Sequence, residues 1–151
     1  MTEAAPPQEN AEQGVAAYAE WSQRALGFLI DTGIVVGGLV IVFLVAAILH
    51  LVNYQLGEFV KLIGYLAMIA VGIRNQVIVQ GNTGQSIGKK QIGIKLVSEQ
   101  TGRPLGPGLT FVRQVAHVFD GICVIGYLWP LWDDKKQTFA DKIVTSVVVK
   151  A

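Results

Sequence analysis

The sequence is poor in charged residues and contains a single cysteine. Only 15% of its 151 residues are charged, whereas soluble domains average about 25%. The shortage is local, because between Ala25 and Val52 the only ionisable side chains are those of Asp31 and His50. The one cysteine, Cys123, cannot form an intrachain disulfide, so cysteine content indicates no redox compartment. A net charge of +1 argues against nucleic-acid binding, which requires a basic surface.

The N-terminal segment lacks the basic residues with which a signal peptide begins. The first twenty residues contain four glutamates and no lysine or arginine, the opposite of a cleavable signal peptide. Residues 1–16 also contain two prolines and several polar side chains, and they are too polar to bury a core. We therefore predict a disordered acidic tail over 1–16, followed by one membrane domain over 17–150.

Apolar residues are concentrated in long runs. The first run is longer than the roughly 20 residues needed to span hydrocarbon. Trp21 and Arg24 lie at its start, and both side chains favour the headgroup layer. We predict a first transmembrane helix over about 22–52 and a second over about 57–79, separated by a polar turn at 53–58.

The rest of the chain contains polar and apolar segments in turn. Residues 80–108 are polar and rich in glycine, but apolar side chains alternate within 91–98, which is the period of a β-strand. A β-branched run over 144–150 predicts a second strand. Between the strands, the apolar segment 109–132 carries charged side chains, so it could cross the membrane, re-enter it or lie at its surface.

The distribution of basic residues predicts the topology. If 109–132 returns to the side on which it starts, eleven of the twelve Lys and Arg residues share one side, with Lys61 alone on the other. If the segment crosses, the split becomes seven to five. Short cytoplasmic loops concentrate Lys and Arg, so we predict that both termini are cytoplasmic. The predicted fold is an α-helical membrane protein: two transmembrane helices, a third broken, re-entrant or interfacial helical segment, and a small cytoplasmic β-strand pair.

Several motifs resemble those of the RDD family of small bacterial membrane proteins, which is named for one arginine and two aspartates. Arg24 and Asp31 match the first two of these, and Asp141 matches the third within a closing motif at 137–149. Ala140 stands where the family usually has histidine. The resemblance extends over roughly residues 17–150.

The resemblance implies a multi-pass protein of the bacterial inner (plasma) membrane. Because transport, including sodium or proton exchange, has been suggested for the family, we expect a part in the transport of a small cation. The alternative is a non-catalytic accessory or scaffolding subunit of a larger membrane complex. Expected partners are the lipid bilayer and a homo-oligomer or a larger membrane-protein complex.

Asp31 is the most informative polar residue of the first helix. It lies about 10 Å deeper than Arg24 by helix rise, where an aspartate costs about 2.5–3.5 kcal/mol. Arg113 and Asp120 repeat the spacing of Arg24 and Asp31, which indicates either an internal repeat or chance. We predict that Arg24, Asp31 and Asp141 form one polar network near the inner leaflet, joined by Arg113 and possibly Asp120. The network is a helix–helix contact, a cation or proton site, or a site for a lipid headgroup or partner helix. In the first case Asp31→Asn should leave the protein level near normal.

A glycine-rich turn contains Gly84, Gly88, Lys89 and Lys90. A Walker A loop needs four residues between its glycine and Gly-Lys, followed by Ser or Thr, whereas here three intervene and a second lysine follows. We predict instead a tight turn that faces anionic headgroups, where each lysine contributes about 1 kcal/mol. No Cys or His cluster has metal-ligand spacing, and no serine has a credible base. We therefore expect no metal, no cofactor and no enzymatic activity.

Overall fold

The structure is a computed structural model that describes residues 17–123 and 125–151, so the tail predicted for 1–16 lies outside the described residues. Most of the chain is helical, with two short strands. The α-helices are α1 (Trp21–Val52), α2 (Tyr54–Ile73), α3 (Gln80–Thr83), α4 (Ile87–Ile92), α5 (Gly106–Cys123), α6 (Ile125–Leu128) and α7 (Phe139–Ile143). The strands are β1 (Ile94–Ser98) and β2 (Ser146–Lys150).

The two longest helices form an antiparallel hairpin. A π-helical segment, Arg74–Val79, joins α2 to α3, so the second helix continues to Thr83 and passes the predicted end at residue 79. The predicted turn at 53–58 is too long. The break is Asn53 alone, because its Oδ1 accepts a hydrogen bond from the backbone N–H of Leu56 at 3.0 Å and caps α2.

Both helices of the hairpin are suited to a bilayer. The helices Trp21–Val52 and Tyr54–Thr83 are long and apolar enough to cross a membrane, and their most apolar windows are only 6% buried within the chain. This agrees with the predicted number of long apolar helices. Helices α5 and α6 are bent against each other and would make a third span only if taken together.

The segment after α5 turns back toward the start of α1. The indole Nε1 of Trp21 donates a hydrogen bond to the backbone oxygen of Tyr127 in α6 at 2.9 Å. The Tyr127 hydroxyl in turn donates to the backbone oxygen of His117 in α5 at 3.3 Å. These bonds place both arms of the bent segment at the end of the molecule where α1 begins.

The two strands pair as predicted, in antiparallel register with Leu96 opposite Val148. The predicted strands begin too early. Residues 91 and 92 belong to α4 because Ser86 caps that helix, and Gly93 ends it in the left-handed conformation at φ 73°. Similarly, Thr145 with φ 51° precedes β2.

The N-terminal segment extends the sheet. Tyr18 forms a bridge with Val149, and the Ala19 N–H donates to the backbone oxygen of Val148 at 2.9 Å. The described N-terminal residues and the C-terminal strand are therefore neighbours at one end of the molecule. We call the unit formed by α4, β1, α7 and β2 the cap. Its buried core contains Ile94, Leu96 and Val148, and Ala19 of the N-terminal segment packs with them.

Candidate functional site

Asp31 lies inside α1 with 3% of its surface exposed and accepts four hydrogen bonds. Its Oδ1 accepts from Asn75 Nδ2 at 2.7 Å and from the Gly88 backbone N–H at 2.8 Å. Its Oδ2 accepts from Ser86 Oγ at 2.5 Å and from Gln76 Nε2 at 3.0 Å. A carboxylate has about four lone-pair positions, so these donors occupy all of them.

The π-helical segment supplies two of these donors. The wide turn directs both Asn75 and Gln76 to the α1 carboxylate, and such turns are frequent at functional sites. Each amide oxygen has its own partner, since Asn75 Oδ1 accepts from the Ile87 N–H at 2.9 Å and Gln76 Oε1 accepts from Gln114 Nε2 at 3.1 Å. These bonds connect α1, the end of the second long helix, α4 and α5.

A close backbone contact brings α4 against α1. A Cβ placed on Gly88 would lie 2.0 Å from the backbone oxygen of Gly27 and 3.0 Å from the Asp31 carboxyl carbon. No side chain fits there, so glycine at position 88 allows its N–H to reach the carboxylate. The prediction that Gly84 and Gly88 face headgroups is wrong, because both are buried against other parts of the chain.

The cradle around Asp120 resembles the one around Asp31. Asp120 is fully buried, and its Oδ1 accepts from the Phe139 N–H at 2.9 Å. The Ala140 N–H lies 3.4 Å from both carboxylate oxygens. His117 Nδ1 lies 2.6 Å from Oδ2, which fits a histidine that donates from Nδ1. Asp120 thus holds the N-terminus of α7, just as Asp31 holds that of α4.

Asp141 forms the third cradle and is bound by two arginines. Its Oδ1 accepts from Arg113 Nε at 2.7 Å, and its Oδ2 forms an ion pair with the Arg24 guanidinium. Thr138 N–H and Ser146 Oγ complete the cradle at 3.1 and 3.2 Å. Burial alone would raise the pKa of Asp141, but Arg113 and Arg24 outweigh it and hold that pKa well below its usual range.

The predicted single network is therefore divided among three cradles. Arg24 and Arg113 both bind Asp141, as the prediction required. Among the described residues, neither Asp31 nor Asp120 forms an ion pair with an arginine. The reason is that other donors surround both carboxylates: two amides, a hydroxyl and one backbone N–H at Asp31, and backbone N–H groups with the His117 imidazole at Asp120.

The cap contains an internal repeat of its own. Ser86 accepts from the Lys89 N–H at 3.3 Å, and Thr138, fifty-two positions later, accepts from the Asp141 N–H at 3.2 Å. The backbone φ is positive at equivalent positions: 78° at Gly84 and 54° at Lys136, each two residues before the capping hydroxyl residue. It is also positive after each short helix, with 73° at Gly93 and 51° at Thr145. Gln85 Nε2 donates to the backbone oxygen of Ile94, the first residue of β1, at 3.0 Å. Gln137 Nε2 likewise donates to the backbone oxygen of Ser146, the first residue of β2, at 2.8 Å. The cap consists of two copies of one helix–turn–strand unit.

Sequence reasoning missed most of the donors. Asn75 and Gln76 lie within the predicted second helix but were not predicted to bind Asp31, although polar side chains beside a long apolar run are often functional. The four residues from Thr138 to Asp141 form a capping box, a pattern that is readable from sequence. The role of Ser86 had no comparable signal. Within the described residues, no three His, Cys, Asp or Glu side chains cluster as metal ligands.

The residues of these cradles lie within a known family pattern. The sequence model of the RDD family matches residues 18–145, which include the paired Arg24 and Asp141 as well as Asp31. The chain belongs to the RDD family. It is 40% identical to the "Proline-rich antigen homolog" of Mycobacterium tuberculosis (strain ATCC 25618 / H37Rv) over 152 residues, which is 88% of this chain and 63% of that protein.

A second mycobacterial relative gives a similar result. The "Proline-rich antigen" of Mycobacterium leprae (strain TN) is 39% identical over 150 residues, which is 87% of this chain and 60% of that protein. The chain thus spans less than two thirds of the length of these relatives. No solved structure matches it.

Proposed function

We propose that this RDD protein is a non-enzymatic scaffold or accessory subunit of the bacterial inner membrane, in which buried carboxylates lock a polar cap onto membrane helices. The observation that carries the proposal is the complete hydrogen bonding of the Asp31 carboxylate. Its four acceptor positions are filled by donors from two parts of the chain, the π-helical segment and the N-terminus of α4. Such a carboxylate acts as a clamp between elements.

The same geometry supports a structural role for the other carboxylates. Asp120 binds the N-terminus of α7, and Asp141 joins Arg24 of α1 to Arg113 of α5. Each aspartate therefore connects an apolar helix to the cap. A partner complex could dock against the exposed apolar faces of α1 and α2, which the chain itself leaves uncovered.

Transport of sodium or protons is the competing function. A sodium ion binds through oxygen lone pairs, and hard cations in proteins take several oxygen ligands. Asp31 would have to release at least one of its four donors before it could contact a cation. A buried acid within an apolar helix is nevertheless a functional candidate by default, so transport is the function that the experiment must test against.

The substitution Asp31→Asn separates the two functions. All four partners of Asp31 are donors, so an asparagine NH2 group would oppose one or two of them. The earlier expectation of a near-normal protein level therefore changes: we expect the free energy of unfolding to fall by about 1–3 kcal/mol. The exposed Asp134 provides the matched control, and Asp134→Asn should leave stability unchanged.

Two measurements on the full chain read out this substitution. One is thermal unfolding in mild detergent; the other is sodium and proton flux in phospholipid vesicles. If the protein is a scaffold, Asp31→Asn should unfold at a lower temperature than wild type. Vesicles that contain the wild-type protein should then show the same flux as protein-free vesicles. Wild-type flux above that background, abolished by Asp31→Asn without loss of stability, would establish transport instead.

The mass of the protein in mild detergent tests whether it assembles with partners. Native mass measurement in mild detergent should find the chain either in a defined homo-oligomer or with a larger membrane complex. Co-purification with a larger complex is what an accessory subunit requires, whereas a strictly monomeric chain would contradict this part of the proposal.

A further inference from the structure

Helix α5 has two faces of opposite character. Its inward face carries the buried side chains of Arg113 and Asp120. Its outward face leaves between 46% and 61% of each of five apolar side chains exposed, namely those of Phe111, Val112, Val115, Val118 and Phe119. An amphipathic helix of this kind places its apolar side against lipid or against another apolar surface.

The length of the helical hairpin indicates how deep this outward face lies. A hydrocarbon core of about 30 Å takes roughly 20 helical residues. At the hairpin turn, His50 and Lys61 lie 3.2 and 2.6 Å from the Glu58 carboxylate, and such charged groups mark one edge of the core. Roughly 20 residues counted back from His50 along α1 end close to Asp31. The Asp31 cradle therefore lies near the other edge, on the cap side.

Helix α5 enters this layer from the cap side. A Cβ on Gly81, near the end of the second long helix, would lie 2.6 Å from the Cα of Pro107 at the start of α5. Farther along α5, Gln114 Nε2 donates to Gln76 Oε1 at 3.1 Å, and Gln76 itself donates to Asp31. Gln76 precedes Gly81 in a helix that runs toward the cap, so α5 runs the opposite way. It therefore points into the bilayer and reaches the depth of Asp31.

The chain then returns to the side from which it came. The helical segments Gly106–Gly121 and Ile125–Leu131 are bent by 109° against each other. The backbone oxygen of Tyr127 in α6 accepts from the indole of Trp21 at 2.9 Å. Trp21 is the first residue of α1 and lies about 15 Å from Asp31 by helix rise, on the cap side. Only the bend between α5 and α6 therefore passes the depth of Asp31.

We propose that α5 and α6 form a re-entrant elbow whose outward apolar face contacts the acyl chains of one leaflet, the leaflet on the cap side. The inference rests on the membrane location in the proposed function. The uncovered apolar surfaces of α1 and α2 lie in the same layer, so lipid satisfies all of these surfaces together. An amphipathic helix in this position lies about 5–10 Å into the boundary between headgroups and acyl chains.

The elbow connects the lipid layer with the cap. On the inward face of α5, Arg113 Nε donates to Asp141 at 2.7 Å, and Asp120 accepts from the Phe139 N–H at 2.9 Å. Both partners belong to α7. The leaflet and the cap thus hold opposite faces of one helix, which fixes the cap against the membrane surface.

Spin labelling of the full chain in phosphatidylcholine–phosphatidylglycerol vesicles tests the elbow. Single cysteines are introduced after Cys123→Ser: Val118→Cys and Val115→Cys on the elbow, with Val40→Cys on α1 and Thr101→Cys in the turn after β1 as references. All four replaced side chains are exposed within the chain, so the labels should leave the fold intact. Collision of the nitroxide with oxygen, which concentrates in lipid, and with a water-soluble nickel chelate measures its depth.

The elbow predicts a shallow position in lipid for the label at Val118. By helix rise Val40 lies about 14 Å past Asp31, near the bilayer centre, whereas Val118 lies at most about 6 Å past Gln114. The ratio of oxygen to nickel collisions at Val118 should therefore exceed the ratio at Thr101 several-fold and stay below the ratio at Val40. If Val118→Cys lowers the unfolding midpoint, the label at position 115 provides the same comparison.

Three results at Val118 would overturn the elbow. A label as deep as that at Val40 would mean that the segment crosses the membrane. A label as accessible to nickel as that at Thr101 would place the face in water, and low collision rates with both reagents would mean that a protein partner covers it. A nickel-accessible label at Val40 would contradict the membrane location and the elbow together, whereas a lipid-exposed Val40 beside a water-exposed Val118 would contradict the elbow alone.

Discussion

The buried aspartates are each satisfied by a different chemistry. Asp141 has two guanidinium groups, Asp120 has backbone N–H groups and an imidazole, and Asp31 has amides, a hydroxyl and one backbone N–H. An uncompensated buried charge costs several kcal/mol. Substitution of these aspartates should therefore change the free energy of unfolding more than substitution of exposed residues.

Asp141→Asn should lower the free energy of unfolding by about 3–5 kcal/mol, because it leaves two guanidinium groups without a counter-charge. Chemical unfolding in detergent, followed by tryptophan fluorescence, measures the change. A loss below about 0.5 kcal/mol, the range of ordinary surface substitutions, would show that the two ion pairs do not stabilise the fold.

The same variant should change the response to acid. The folded-state pKa of Asp141 is lowered, so its stabilising contribution is present above the unfolded value of about 3.9 and is lost as the pH falls through the folded pKa. The difference in stability between wild type and Asp141→Asn should therefore shrink below about pH 4. A difference that stays constant between neutral and acidic pH would contradict the ion-pair explanation.

At the scale of elements, two short helices hold the cap to the apolar helices α1 and α5. Helix α4 has six residues and α7 has five, too few to be stable alone. Each is capped by a hydroxyl side chain and receives a carboxylate at its N-terminus, where the N–H groups and the helix dipole favour negative charge. Tertiary contacts therefore stabilise these helices.

Gly88→Ala should separate α4 from α1. The added Cβ would lie 2.0 Å from the backbone oxygen of Gly27, so we expect a loss of about 1–3 kcal/mol from overpacking. Gly33→Ala is the control, because a Cβ at Gly33 has no described atom within 4 Å. Thermal unfolding should show a lower midpoint for Gly88→Ala only, and equal midpoints would mean that α4 can move without cost.

At the scale of the whole molecule, the ends of the described chain meet. The Lys150 N–H donates to the backbone oxygen of Ala17 at 2.9 Å. The second long helix also ends beside Asp31, near the start of α1. Whichever side of a membrane holds the cap, the described N-terminal residues and the C-terminal strand share it.

A reporter that is active only in the cytoplasm should work after Ala151 and near Gly102 and should be inactive near Tyr54. The reason is that the cap end of the molecule carries almost all of the Lys and Arg residues, and short cytoplasmic loops concentrate them. A reporter with the opposite preference, active only outside the cytoplasm, provides the control at the same positions. A signal from the control reporter after Ala151 would place that end outside the cytoplasm and contradict the predicted orientation.

The sequence by itself determined the features that depend on local pattern. The apolar runs predicted the two long helices, and alternation and β-branching predicted the two strands that pair. The equal spacing of Arg24 with Asp31 and of Arg113 with Asp120 indicated either a repeat or chance. These features arise from residues near one another in the chain, where helix and strand periods apply directly.

Only the tertiary structure decided which donors meet which carboxylates. Asp31 and Ser86 are 55 positions apart, and Arg24 and Asp141 are 117 apart. No periodic pattern relates residues at such separations; the folding of the cap against α1 and α5 brings them together. That packing depends on backbone contacts such as that of Gly88 with Gly27, which composition and hydropathy do not record. The division of one expected network into three cradles is therefore a property of the packing.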